Sequence, residues 1–270
     1  VDEIQKPDFT AETGRAIGRV RTDRLLRRDS SRAETRRSAL CVAGADEQAM
    51  RRRERASEVA MYSPPDFLVT DPAEIDAMIE DARLGLLVTA GAEGLTATHL
   101  PFLYDAAART LTGHIARANP HPAMAGDGEA LVVLSGVEAY VSPRWYANGG
   151  GGRHVPTWNY EAVHLWGRIV WFEDRAALRD TVDRLTLRHE QGVVPPWTTA
   201  EAEAAYLERL LAAIVGVRFA VTRVEAKRKL SQNRDHADRI GVIAGLETAQ
   251  DPRDRLVAAR MRGLGLGEPR

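Results

Sequence analysis

The spacing of apolar residues changes character several times along the chain, and the order of those changes predicts an α+β fold dominated by strands. Asp71-Pro72-Ala73-Glu74 carries helix-start signals: a carboxylate for the free amides, a proline where no donor is needed, and Glu74 to complete a capping box. Ile75, Met78, Ile79 and Ala82 then recur at helical spacing. Residues 84–89 form a short apolar run stopped by Gly91 and Gly94, which predicts a buried strand entering a hairpin with a return strand over 95–104. A strand at 110–118 follows, with a short helix predicted to start at Asn119-Pro120. Two strands, 130–135 and 138–142, are joined through Gly136, and 160–172 reads as one long strand with Gly167 at a bulge. Helices are predicted after Asp174 and over 200–213, the second capped by Thr199. In 214–225, Val217, Phe219 and Val221 alternate with Arg218 and Thr222 as in a half-buried strand. A last helix starts at Asp251-Pro252 and carries Leu256, Val257 and Met261.

Composition changes this picture at one end. Of 270 residues, 44% are hydrophobic and 28% charged, enough for a real core, yet the first 60 are arginine-rich and too poor in large apolar residues to offset the entropy of ordering. The expected organisation is therefore an Arg-rich extension over 1–60, disordered or read from a start placed too far upstream, a folded domain over 61–250, and a C-terminal helix and tail over 251–270. A net charge of -1 gives no global case for nucleic acid. The single Cys41 cannot form an intramolecular disulfide, which suits a cytoplasmic protein without a cysteine metal site. No apolar run approaches the roughly 18 residues of a membrane span.

Candidate chemistry is concentrated in four stretches. Residues 155–166 hold two Trp, a Tyr, an Asn and a His in a chain that is only 6% aromatic; they suit either a barrel wall with large residues or the flank of a planar ligand. Thr96, Thr98, His99 and Pro101 lie on the return strand, where a proline removes a ladder donor and points to an edge or a ligand-facing bulge. His114, Arg117 and Asn119 stand where a strand gives way to a helix, an arrangement that can hold a phosphate or a surface ion pair. Lys227-Arg228-Lys229-Leu230-Ser231-Gln232-Asn233-Arg234 combines cations with a Ser cap and a predicted helix start, open to three readings: a phosphate site, a solvated basic turn or a DNA-facing patch. Gly149 to Gly152 form a glycine run with neither the Gly-Lys-Ser/Thr of a phosphate loop nor the spacing of a dinucleotide fingerprint.

Taken together, Met61-Tyr62-x-Pro-x-x-Phe67, Ala97 to Phe102, Gly113-His114-x-Ala116-Arg117-Ala118-Asn119-Pro120, Tyr140-Val141-Ser142-Pro143, Val155 to Tyr160 with Ala162-Val163-His164, and Lys229 to Arg234 resemble the PaiB family, described as FMN-binding negative transcriptional regulators. The resemblance spans about 61–246 and implies a split β-barrel like that of pyridoxamine-phosphate oxidases and flavin reductases, usually homodimeric, with FMN near the subunit boundary. Carried onto this chain, it implies FMN contacts from Thr96, Thr98, His99, Pro101, His114, Arg117, Asn119, Trp158, Asn159, Lys227, Lys229, Ser231, Gln232 and Asn233. The phosphate falls to the basic stretch, helped by the hydroxyls of Thr96 or Thr98 on a neighbouring strand. Ala226 and Arg228 depart from the Gly-Lys-Trp-Lys-Leu-Ser expected of the family. The functional classes left open are a regulator or flavin sensor, a flavin-dependent oxidoreductase of the same barrel, and a haem or deazaflavin relative. DNA is an open partner without an evident helix-turn-helix to bind it.

Overall fold

The computed structural model describes residues 61–147 and 154–269; the extension 1–60 and the glycine run 149–152 lie outside them. Eight strands form one antiparallel sheet: β1 (Leu68–Val69), β2 (Gly85–Gly91), β3 (Gly94–Leu100), β4 (Leu103–Asp105), β5 (Thr110–Ala116), β6 (Ala130–Val141), β7 (Thr157–Phe172) and β8 (Ile214–Lys229). Their order is β3-β2-β6-β7-β8-β5-β4, with β1 paired to the end of β8. Around them lie α1 (Pro72–Asp81), the four-residue α2 (His121–Met124), α3 (Arg175–His189), α4 (Ala204–Ala212), α5 (His236–Thr248) and α6 (Pro252–Gly263). This is an α+β split barrel.

Inside and outside are fixed by register. Thr98, Leu87, Val132, Leu165 and Val224 pair across five strands, and the three central members are fully buried, so this row faces the core. His99, Leu86, Val133, His164 and Glu225 form the adjacent row and face out. Two bulges alter the alternation. On β6 the register shifts between Ser135 and Glu138, so what the sequence suggested as two strands is one long strand with a kink. Between β7 and β8, Trp166 pairs with Arg223 and Gly167 with Val221, which leaves Thr222 unmatched, its hydroxyl bonded to the Trp166 carbonyl at 3.1 Å. Gly167 is required there: a Cβ would come within 2.1 Å of the Ala220 carbonyl oxygen.

Other departures from expectation follow from local chemistry. The return strand stops at Leu100 because Pro101 cannot continue the ladder, and β4 resumes at Leu103. Thr199 belongs to a 3-10 turn with its own capping box from Thr198 and Glu201, and α4 begins only at Ala204. Asp71 does cap α1, accepting from the Ala73 amide, but Glu74 turns away to Arg228 instead of closing a capping box. Farther along the same face of the sheet, α5 and α6 bury Val242, Ile243, Leu246, Val257, Ala258 and Met261 against Ala139 and Val141 of β6, forming a second core. Among the described residues no helix is long and apolar enough to cross a membrane.

Candidate functional site

The basic stretch is the last turn of a strand. β8 runs on to Lys229, beyond the expected end at Glu225, and the next helix, α5, starts only at His236 with Asp235 as its cap. The predicted convergence of cations and helix amides is thus not formed; alternation along β8 gathers the charge instead. Lys227 and Lys229 both project from the outer face, while Ala226 and Arg228 project inward. Lys227 is buried, donates to the Tyr62 carbonyl at 2.7 Å, and lies 5.6 Å and 5.3 Å from the ring centres of Tyr62 and Tyr160. Lys229 donates to the Thr157 hydroxyl at 2.6 Å and to the Trp158 carbonyl, with the Phe67 ring 6.0 Å away. Among the described residues neither ammonium has a carboxylate in salt-bridge range. Burial, and then repulsion from Lys227 and Arg234, holds the Lys229 pKa below its usual value.

Beside Lys229 is a cavity of about 140 Å³ lined by Phe67, Tyr146, Thr157, Asn159, Ser231, Asn233 and Arg234 as well as the lysine itself. Its floor is polar and buried: the Asn159 carboxamide and the Ser231 hydroxyl are 3.1–3.2 Å apart, and Ser231 has a left-handed backbone at φ 66°. Gln232 staples the turn, accepting from the Leu230 amide and donating to the Arg228 carbonyl. At the rim Trp158 and Tyr140 are each nearly half exposed and meet edge to face at 6.3 Å. Buried Lys227 and half-buried Lys229, with no described carboxylate in salt-bridge range and a polar-floored cavity beside Lys229, suit the phosphate of a flavin mononucleotide.

The remaining candidates lie elsewhere. Thr96 and Thr98 point inward, and three strands separate β3 from β8, so their hydroxyls do not join Lys229 within one chain. Thr98 is bonded at 2.8 Å to Nδ1 of His121, whose Nε2 meets the Thr89 hydroxyl at 2.9 Å; Asn119 donates to Thr98 at 3.3 Å and accepts from the His121 amide. His121, completely buried and tilted against Trp171, thus plugs the mouth of the barrel. Thr96 leaves its hydroxyl without a described partner. His99 lies on the outer face, one row from Lys227, and is exposed. Pro101 packs its carbonyl so close to β5 that only glycine fits at 113. His114 shares a row with Gly216 and Phe172 on the side where α3 packs, with burial lowering its pKa. Arg117 is engaged structurally, donating to the carbonyls of Ala212 and Ile214 and pairing with Glu173 at 2.9 Å.

Several contributors escaped the sequence reading. His121 was passed over because the predicted helix start drew attention to Asn119. Tyr62 and Tyr160 stood inside quoted motifs but gain meaning only when alternation is carried through to Lys229. Arg228, one of the departures from the family pattern, bonds Glu161 at 2.7 Å and Glu74 at 2.6 Å, and Glu161 also meets Arg260 of α6 at 3.3 Å. This buried network backs the strand that presents the two lysines.

Comparison with known proteins gives the family. The family described as "Putative FMN-binding domain" matches residues 61–223. The chain is 32% identical over 204 residues to Protease synthase and sporulation protein PAI 2 of Bacillus subtilis, covering 74% of this chain and 96% of that protein. It is also 28% identical over 231 residues to the uncharacterized protein AN0679 of Emericella nidulans, covering 71% and 92%. Among solved structures, an FAD and heme binding protein of Mycobacterium smegmatis is similar at 18% identity and a TM-score of 0.46, over 60% of this chain and 73% of that one. The chain therefore belongs to the PaiB family of FMN-binding split-barrel proteins.

Proposed function

We propose that this chain is a homodimeric, cytoplasmic FMN sensor that acts as a negative regulator, with the flavin phosphate held by Lys227 and Lys229 on the outer face of β8. The observation that carries the reading is buried Lys227 beside half-buried Lys229, neither with a described carboxylate in salt-bridge range. An anion bound there would relieve their repulsion, and in a half-buried setting each charge-assisted hydrogen bond contributes about 1.5–3 kcal/mol. The cavity of about 140 Å³ is well short of the roughly 300–1,000 Å³ of a site that encloses a whole ligand. The isoalloxazine ring would therefore lie outside it, along Trp158, Tyr140 and Tyr160, where a second copy of the chain would cover it. Bound FMN supplies a redox-active ring. The protein's part is to orient that ring and hold its phosphate. The regulatory role draws on the resemblance to a family described as negative transcriptional regulators, and with no helix-turn-helix evident in the sequence, the response would pass through flavin occupancy.

Titration of the purified chain with FMN and riboflavin, with flavin fluorescence as readout, tests this. Lys229→Ala should weaken FMN by about 10- to 100-fold and leave riboflavin nearly unchanged. Equal loss of both would remove the phosphate from Lys229. Sedimentation should give a dimer. Steady NAD(P)H-dependent flavin turnover, with the occupancy of the chain's own promoter indifferent to FMN, would overturn the regulator in favour of an oxidoreductase.

A further inference from the structure

Tyr146 lies outside the predicted stretches and Arg234 ends the basic one without being among the FMN contacts that the resemblance implies, yet both line the cavity beside Lys229. The Tyr146 side chain is 2% exposed, and its hydroxyl has no hydrogen-bond partner among the described residues. A buried phenol left in this state costs about 1–3 kcal/mol, which the fold tolerates where a ligand supplies the missing partner. The Arg234 guanidinium lies over the same ring, 4.8 Å from its centre, and forms no salt bridge with any described carboxylate. Its charge is felt across the cavity, since it is one of the two cations that depress Lys229. The turn at Ser231 sets this position: its left-handed backbone reverses the chain, and the Arg234 amide closes the turn on the Ser231 carbonyl at 3.0 Å.

We propose that Tyr146 and Arg234 complete the pocket with Lys229 and make it specific for a terminal phosphomonoester in its dianionic form. This rests on the placement of the FMN phosphate proposed above and adds the residues that determine its specificity. Arg234 and Lys229 supply two positive charges, and the Tyr146 hydroxyl supplies a neutral donor beside the polar floor of Asn159 and Ser231. Riboflavin lacks the phosphate. FAD carries a diphosphate whose second phosphoryl group and adenosine exceed what a cavity of about 140 Å³ holds.

The test uses the full chain with FMN, riboflavin and FAD as probes, in wild type, Lys229→Ala, Arg234→Ala, Arg234→Lys and Tyr146→Phe. Arg234→Ala should weaken FMN by about 10- to 100-fold with riboflavin unchanged. Tyr146→Phe, which removes a single oxygen and keeps the ring, should weaken FMN by about 3- to 10-fold. Arg234→Lys keeps the charge without the fork, so it should fall between wild type and alanine. Wild-type FMN affinity should rise as pH increases through about 6, where a phosphomonoester gains its second charge, and the rise should flatten in Arg234→Ala. Wild-type affinities for FMN and FAD should differ in favour of FMN. FMN affinity unchanged in both Arg234→Ala and Tyr146→Phe, while Lys229→Ala still discriminates FMN from riboflavin, would overturn this proposal and spare the one it rests on. Equal loss of riboflavin, or FAD binding as tightly as FMN, would overturn it as well. Failure of the wild type to bind FMN would remove both.

Discussion

Two polar regions of this barrel look alike in sequence and differ in what they leave unpaired. At the inner mouth, Thr89, Thr98, Asn119 and His121 bond one another so completely that both ring nitrogens of a fully buried histidine are used. At the far end of β8, Lys229 and Arg234 line a cavity and Lys227 lies two residues before Lys229 on the strand, with no described carboxylate in salt-bridge range of the three. The first network is neutral and closed, and it holds β2, β3 and α2 together. The second is charged and incomplete. Hydroxyls and imidazoles in a flavin-binding sequence are therefore poor guides to the ligand until their partners are counted, whereas a buried cation short of an anion keeps its meaning.

That contrast can be broken by experiment. The largest effect should come from His121→Ala, which opens a cavity and strands the Thr89 and Thr98 hydroxyls: about 4 kcal/mol lost in urea unfolding, with the FMN affinity of the folded fraction unchanged. Loss of flavin binding without loss of stability would make the inner mouth a ligand site after all. Glu161→Gln should follow at about 3 kcal/mol, because Arg228 and Arg260 lose the carboxylate they share. It should also weaken FMN, as the backing of β8 loosens.

A smaller effect concerns pH. Burial depresses the pKa of His121, and of His114 and His164, below the ordinary imidazole value. The unfolded chain then binds more protons than the fold, so stability should be constant above about pH 6.5 and fall below it by up to about 1.4 kcal/mol per pH unit for each such group. Urea midpoints at pH 7.5 and 5.5 measure this, and His121→Asn should reduce the drop. The smallest effect on stability is expected for Lys227→Met, within about 1 kcal/mol of wild type, because the ammonium is traded for an apolar group of similar length among aromatic rings. FMN affinity should nevertheless fall by tenfold or more. A large destabilisation would mean that Lys227 is there for the fold.

Much of this architecture was legible. The cap at Asp71, the long strand ending at Phe172, the irregularity at Gly167 and the start of α6 at Pro252 are set by local chemistry that residue types reveal. Ser231 was misread for a physical reason: a serine after cations looks like a cap, and only the backbone shows it in a left-handed turn five residues ahead of α5. The orientation of Thr98 is not legible locally, because which way a strand faces depends on its neighbours, and the partner of its hydroxyl, His121, is 23 residues further along the chain.

Thr222 has a consequence out of proportion to its size. Before it, Val217, Phe219 and Val221 turn toward the interior; after it, Val224, Ala226 and Arg228 do, so odd numbers give way to even. That one unmatched residue acts as a phase shifter, and it is the reason Lys227 and Lys229 leave the outer face of the sheet rather than its inner one. Excising it would invert the tail of the strand and drive two ammonium groups into the barrel, although both lysines would still be present.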